Sequence, residues 1–220
     1  QDFDLDLFEK LNVVDYGDAD IPPEVMENQS PENILKAQQA VEQKVSEILS
    51  VNAIPIVIGQ NSPCGSYAIA KPIAEHTKGS VGCISLDTHW DAERIDFLTN
   101  DSRIAGSESW KHKMYEFHTN MHPRHLVEIG ERGMLEDKEI IRNYLKQGTR
   151  FISSWELRTS LGINGLIKEL DRAYQGTDSV YVHFDMDVIG GAGPASGDIL
   201  GEAAEPIGLT DYEVIRIAHE

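Results

Sequence analysis

The chain has 220 residues and a formal net charge of −18, from 37 acidic and 19 basic side chains. This acidity argues against nucleic acid or an anionic membrane surface as a partner, and it favours a cationic or neutral small molecule. Hydrophobic residues make up 40% of the chain, which is enough for the core of one α/β domain spanning residues 1–220.

The cysteines and the apolar segments indicate a cytoplasmic protein. Only two cysteines are present, Cys64 in a predicted loop and Cys83 in a predicted strand, so a disulfide framework is not expected. No segment is long and apolar enough to suggest a membrane span, and the N-terminus does not resemble a signal peptide. The sequence begins without methionine and stops inside a predicted helix, so we expect both ends to be trimmed.

Strands and helices alternate along the chain. Ser30 followed by Pro31 is typical of a helix start, and Thr210 with Glu213 predicts a capping box at another. The full pattern predicts strands at residues 11–15, 54–59, 81–86, 126–130, 151–153 and 179–184, and helices at residues 30–49, 67–76, 110–117, 137–147, 159–174 and from 210 onwards. This order favours a three-layer α/β/α fold with a mostly parallel sheet, in which ligands bind at the carboxyl ends of the strands.

The most informative motif directly follows the predicted strand at residues 81–86. It reads Asp-Thr-His-Trp-Asp. Alternate side chains of an extended segment share one side, so Asp87, His89 and Asp91 point toward a common position. A turn former or a helix N-cap explains one such residue, but not three on alternate positions. The motif therefore indicates metal ligation.

A second motif ends the predicted strand at residues 179–184, where Asp185 and Asp187 follow. If the two strand ends lie side by side, four carboxylates and one histidine converge. Without a cation, the repulsion between the carboxylates would cost free energy. We therefore predict a divalent metal site, with a pair of ions as the simplest partner. An oxygen-rich set with one imidazole suits Mn²⁺, Ni²⁺ or Fe²⁺ better than a structural Zn²⁺.

These motifs resemble those of the arginase/agmatinase (ureohydrolase) family. Residues 87–91 resemble its Asp-Ala-His-x-Asp signature, and residues 184–187 resemble its Ser-Phe-Asp-x-Asp signature. Residues 13–18, 54–59 and 208–210 resemble further landmarks in the family's order. The resemblance implies an arginase-like α/β/α domain, usually trimeric or hexameric. It also implies hydrolysis of a C–N bond in a cationic guanidine-type molecule, with release of urea and the help of two Mn²⁺ or Ni²⁺ ions.

The resemblance also implies the metal ligands. They are Asp87, His89, Asp91, Asp185 and Asp187. Asp91 belongs to the second of two sites, which in the family also receives a histidine from a Gly-Gly-Asp-His-Ser loop. Residues 59–63 read Gly-Gln-Asn-Ser-Pro, so Ser62 stands at the histidine position. Because a hydroxyl is a poor ligand for a first-row dication, we expect at most one well-occupied ion, Ni²⁺ or Mn²⁺.

A second family feature is also missing. The family carries a His-Gly pair after the first motif, where the imidazole moves a proton to the leaving amine. Residues 103–110 contain no histidine, and His112 and His118 fall on a predicted helix, so the catalytic residues stay unassigned. The family's substrate-binding glutamate would lie beyond residue 220.

Three interpretations stay open. The first is an accessory subunit with a degenerate metal site, which works beside a homologous ureohydrolase subunit; metformin hydrolase, a nickel-dependent hetero-oligomer, has such an arrangement. The second is a binuclear Mn/Ni agmatinase- or guanidine-type hydrolase that is active by itself. The third is a non-hydrolytic metal-binding protein. The first is favoured, because two chemically required groups are lost together.

Overall fold

The strands of this chain form one parallel sheet. The computed structural model describes residues 10–59, 66–94, 101, 103–106, 108–132, 137–190 and 208–219. Within these residues the strands are β1 (Val81–Leu86), β2 (Met121–Ile129), β3 (Arg150–Ile152) and β4 (Ser179–Phe184). Their order in the sheet is β3-β2-β1-β4, and every neighbouring pair is parallel. The predicted parallel sheet is thus confirmed.

The described helices are α1 (Glu24–Glu27), α2 (Pro31–Ser50), α3 (Ser66–His76), α4 (Trp110–Phe117), α5 (Lys138–Lys146), α6 (Ser154–Glu156), α7 (Gly162–Tyr174) and α8 (Asp211–His219). The caps expected from the sequence form. The Ser30 side chain accepts a hydrogen bond from the Asn33 backbone N–H at 3.3 Å. At the start of α8, Thr210 and Glu213 bond each other's backbone N–H groups at 3.2 and 2.7 Å. These bonds satisfy amides that the first turn of a helix leaves without partners.

The helices cover both faces of the sheet. On one face, side chains of α3, α4 and α5 pack against Cys83, Leu126 and Tyr181. On the other, side chains of α7 and α8 pack against Ile84 and Val127. Consecutive strand residues contribute to opposite clusters, as the period of a strand requires. The result is the three-layer α/β/α arrangement expected from the sequence.

The strands predicted at residues 11–15 and 54–59 are wrong. Neither segment has strand structure, and the side chains of Ile54, Ile56 and Ile58 are 88%, 80% and 95% exposed. A strand requires ladder hydrogen bonds to a neighbour and a covered apolar face. Within the described residues these segments have neither, and a run of apolar residues cannot reveal in advance whether a neighbouring strand is present.

None of the described helices combines the length and the apolar character needed to cross a membrane.

Gly82 in β1 provides a test of the packing between the sheet and α7. A Cβ atom there would lie 1.9 Å from the backbone oxygen of Ala173, which cannot move aside as a flexible side chain does. We expect Gly82→Ala to lower the free energy of unfolding by roughly 1–3 kcal/mol, measured by urea denaturation. In the described structure a Cβ at Gly59 meets nothing within 4 Å, so Gly59→Ala is the control. Equal losses in both variants would contradict this account.

Candidate metal centre

The two aspartate motifs lie side by side at the carboxyl ends of β1 and β4. These strands pair in parallel, with Leu86 opposite Phe184. The backbone continues this pairing, since the N–H of Asp185 donates to the oxygen of Leu86 at 2.8 Å. Asp87 likewise donates its N–H to Ile129 of β2 at 3.0 Å. The convergence predicted from the two motifs therefore occurs.

Hydrogen bonds hold the two motifs together. The backbone N–H of Thr88 donates to Asp187 Oδ1 at 3.1 Å, and the Thr88 hydroxyl donates to the Asp187 backbone oxygen at 2.9 Å. Arg132 Nη2 in turn donates to Thr88 Oγ1 at 2.9 Å. All of these groups lie at the carboxyl end of the sheet. Thr88 thus positions the second motif against the first.

Asp87, His89 and Asp187 form one candidate metal site, with ligand atoms that lie within 4.8 Å of one another. His89 Nδ1 is 2.9 Å from Asp187 Oδ2. The His89 backbone N–H donates to Asp87 Oδ1 at 2.8 Å, whereas the buried Asp87 Oδ2 accepts no hydrogen bond from any described residue. A buried carboxylate oxygen that lacks a hydrogen-bond donor is costly. The donor set fits a divalent first-row ion, which would satisfy it.

A second candidate site shares Asp87 and adds His183 and Asp185, again with ligand atoms within 4.8 Å of one another. His183 is buried, and its Nδ1 lies 3.8 Å from Asp87 Oδ2. The interpretation of the sequence missed this residue. The signal was present: His183, Asp185 and Asp187 occupy alternate positions, in the same spacing that singled out the first motif.

Asp91 belongs to neither of these two groups. Its backbone has a positive φ of 49°, and its Oδ2 accepts a hydrogen bond from Trp110 Nε1 at 3.2 Å. Burial raises the pKa of Asp91 to about 7, with neighbouring carboxylates adding to the effect. Its neighbour Trp90 is part of the core, where its ring lies 5.8 Å from that of Tyr144 and 5.2 Å from that of Phe151. Of the five predicted ligands, the other four supply the two sites.

Lys111 of α4 is a second residue that the sequence did not reveal. Its side chain is fully buried, with Nζ 3.2 Å from Glu128 Oε2 and 3.5 Å from Asp87 Oδ2. Burial alone would lower the pKa of Lys111, but the surrounding carboxylates raise it, so the ammonium stays charged. No local pattern could have found this pair, since a lysine in an amphipathic helix is usually solvated.

The carboxylates of the site are held under strong repulsion. Burial, and then the charge of Asp91, raises the pKa of Asp87, while Lys111 opposes this rise. Burial and the charge of Asp187 likewise raise the pKa of Asp185. His183 is affected in the opposite sense, because burial lowers its pKa to about 3 and leaves its imidazole neutral. The site therefore combines a neutral imidazole with carboxylates that need a positive counter-charge. Such a combination of ligands suits a divalent cation.

Three positions named from the sequence remain: Ser62, His112 and His118. Ser62, the degenerate ligand position, is outside the described residues, so its effect on metal binding stays a prediction. His112 pairs with Glu116 at 3.2 Å, and His118 ends α4 as its C-cap. Neither histidine belongs to the two candidate sites, so neither is assigned the role of catalytic proton carrier.

The fold and the site together define a metal-binding α/β protein with its ligands at the strand ends. A family model described as Arginase family matches residues 1–220, and the chain belongs to this family. The similarity extends to a formimidoylglutamase from Halobacterium salinarum, which is 25% identical over 206 residues, covering 93% of this chain and 59% of that protein. The chain thus spans well under two thirds of this relative.

Two solved structures show the same fold. Proclavaminate amidino hydrolase from Streptomyces clavuligerus superposes with a TM-score of 0.74 at 24% identity, covering 99% of this chain and 65% of the other. A formiminoglutamase from Trypanosoma cruzi with Mn²⁺ gives a TM-score of 0.65 at 21% identity, covering 86% and 59%. The arginase-like fold expected from the resemblance is therefore confirmed.

The buried pair of Lys111 and Glu128 generates a stability prediction. Lys111→Met leaves the Glu128 carboxylate buried without its cation, so we expect the free energy of unfolding to fall by about 3–5 kcal/mol. Lys111→Met combined with Glu128→Gln removes both charges of the pair and should recover part of the loss, since Asp87 still lacks the ammonium. Urea denaturation measures both variants, with Lys168→Met, at an exposed position of α7, as the control. A double variant as unstable as the single one would contradict the pairing.

The raised carboxyl pKa values generate a prediction for metal binding. Asp91, with its pKa near 7, binds protons in the folded state at pH values where the unfolded chain has lost them. Folding of the metal-free protein therefore weakens as the pH rises through that window, and a divalent ion relieves the cost. We expect Mn²⁺ to raise the Tm of metal-depleted protein more at pH 8 than at pH 5. Asp87→Asn should show little increase at either pH. An equal shift at both pH values would refute the argument.

Proposed function

We propose that this chain is a subunit of a metal-dependent hydrolase that cleaves a C–N bond in a cationic guanidine- or amidine-type small molecule, releasing urea from a guanidine. The observation that carries the proposal is the pair of candidate metal sites that share Asp87 at the carboxyl ends of β1 and β4. Membership in the Arginase family supports it. The names of the relatives, which include an amidino hydrolase and a formimidoylglutamase, suggest the substrate class.

The chain's own residues would bind and orient the ion. His89, Asp87 and Asp187 supply ligand atoms, and Thr88 holds Asp187 in place through two hydrogen bonds. A divalent ion bound there, Mn²⁺ or Ni²⁺, supplies the Lewis acidity that activates water near neutral pH. The excess of carboxylates favours a cationic amidine over an anionic substrate.

Within this function we favour an accessory role in a trimer or hexamer with a homologous ureohydrolase subunit, in the manner of metformin hydrolase and in the cytoplasm. Two sequence features support this proposal: Ser62 at a position where the family has histidine, and the absence of histidine from residues 103–110. The Lys111 ammonium adds to them, since it competes with an ion for Asp87. We therefore expect one firmly bound ion per chain.

A specific observation favours a second candidate, a binuclear hydrolase that is active by itself. His183 places an imidazole against Asp87 and Asp185, where the family's loop histidine is missing from the sequence. If this imidazole binds an ion, the loss at Ser62 does not disable the site. Activity of the isolated chain separates the two candidates.

The test is hydrolysis by the metal-loaded protein, alone and together with a ureohydrolase-family chain from the same genome. Urea release is measured on a panel of guanidines, and formamide release on formimidoyl compounds. Activity only with the second chain supports the accessory role, and activity alone supports the second candidate. No hydrolysis in either case, with metal bound, would leave a non-hydrolytic metal-binding protein.

Asp87→Asn is the variant that connects the activity to the site. Because Asp87 serves both candidate sites, we expect its amide to abolish the activity of a chain that is active by itself, and to leave most of the activity of an assembly in which the partner carries the chemistry. Asp20→Asn removes the same charge at an exposed position and should leave the activity unchanged. Full activity of Asp87→Asn would show that the chemistry belongs to another chain.

A further inference from the structure

We infer that His183 is a metal ligand, and that with Asp87 and Asp185 it forms a second, weaker ion site in this chain. This inference rests on the proposed metal-dependent function, but it concerns ion binding and not hydrolysis. Nothing in the motif resemblance assigns a role to this residue, because the family signature has serine at its position. The argument depends on the surroundings of the imidazole.

Both ring nitrogens of His183 have defined neighbours. Nε2 shares a hydrogen bond of 3.0 Å with the Ser66 hydroxyl, and Nδ1 lies 3.3 Å from the Ser85 hydroxyl. In the tautomer that donates its Nε2 proton to Ser66, Nδ1 lies 3.8 Å from Asp87 Oδ2 and carries a lone pair that either the Ser85 hydroxyl or an ion can use. A hydrogen-bond partner on the second ring nitrogen is what metal-binding histidines ordinarily have.

The spacing of the donor atoms fits a shared ion better than a direct contact. His183 Nδ1 and Asp87 Oδ2 are 3.8 Å apart, which is too far for a hydrogen bond, and Asp87 Oδ2 accepts none from any described residue. Metal–ligand bonds of about 2.0–2.2 Å place two ligands of one ion roughly 3–4.4 Å apart. A purely structural histidine would leave this carboxylate oxygen without a hydrogen-bond donor.

The position of His183 explains how the chain tolerates serine at residue 62. Ser66, the hydrogen-bond partner of His183, is the first residue of α3 and lies four residues after Ser62. The imidazole on β4 therefore reaches the end of the loop from which the family supplies its histidine. The nitrogen donor has moved from the loop to the strand.

Lys111 makes this second site the weaker of the two. Its ammonium lies 3.5 Å from Asp87 Oδ2, the oxygen that faces His183. An ion at His183 must share that oxygen with a fixed positive charge, and this costs affinity. An ion at His89 has in addition Asp187 Oδ2, which lies 2.9 Å from His89 Nδ1 and is not the oxygen that Lys111 contacts. Two affinity classes follow, a tight one at His89 and a weaker one at His183, which is compatible with one firmly bound ion per chain.

The experiment is a titration of the metal-depleted full chain with Mn²⁺ alone, followed by isothermal calorimetry and by the electron paramagnetic resonance signal of free Mn²⁺. Wild type should show two classes of site. In His183→Asn the weaker class should lose at least about tenfold in affinity, while the tight class is unchanged. His125→Asn is the matched control, because His125 is a buried histidine of β2 that bonds the Arg172 backbone oxygen and belongs to neither site.

Three results would overturn the inference: one ion per chain at saturating Mn²⁺, an unchanged weaker class in His183→Asn, or the loss of both classes in a folded variant. Circular dichroism and the Tm establish folding, and His183→Gln is the second variant if the asparagine does not fold. The number of Mn²⁺ ions bound per wild-type chain tests the inference without any variant. The titration uses no substrate, so its result stands even if the protein turns out not to hydrolyse guanidines. Conversely, if the second ion site is absent, hydrolysis at the first site can still be tested.

Discussion

The parallel pairing of β1 with β4 is the constraint on which the rest of the site depends. Their register places Leu86 opposite Phe184, so the residues that follow both strands emerge at the same edge. Thr88 then fixes the motifs to each other through its bonds to Asp187. Helices cover both faces of these strands, and α7 packs so close to β1 that a Cβ at Gly82 would lie 1.9 Å from a backbone oxygen of that helix. Metal ligands are placed precisely only when packing and hydrogen bonds hold the residues that carry them.

The balance of charge at the carboxyl ends of the strands is a second constraint. A cluster of buried carboxylates is not stable by itself, and this chain balances it in two ways. One is internal: the Lys111 ammonium contacts Glu128 and Asp87 in the interior. The other would be a bound cation, which could contact Asp87 Oδ2, an oxygen that accepts no hydrogen bond from the described residues. The internal cation offsets part of the carboxylate charge, and we expect the same charge to limit how strongly the shared aspartate binds an ion.

These features connect the accessory and the independent forms of the proposed function. We expect the serine at position 62 and the charge of Lys111 to weaken the binding of a second ion, and we propose that His183 supplies a nitrogen donor in compensation. Membership in the Arginase family provides the fold on which either form is built.

The sequence by itself determined the elements that depend on neighbouring residues: the caps at Ser30 and Thr210, and the buried β1. It also singled out four residues, on alternate positions at two strand ends, that the structure brings together as candidate ligands. It failed for residues 54–59, because an apolar run becomes a strand only when another strand lies beside it. The Lys111–Glu128 pair and the approach of His183 to Asp87 were decided by tertiary structure alone. They join residues from separate elements, and their energies arise from shared burial, which no local pattern records.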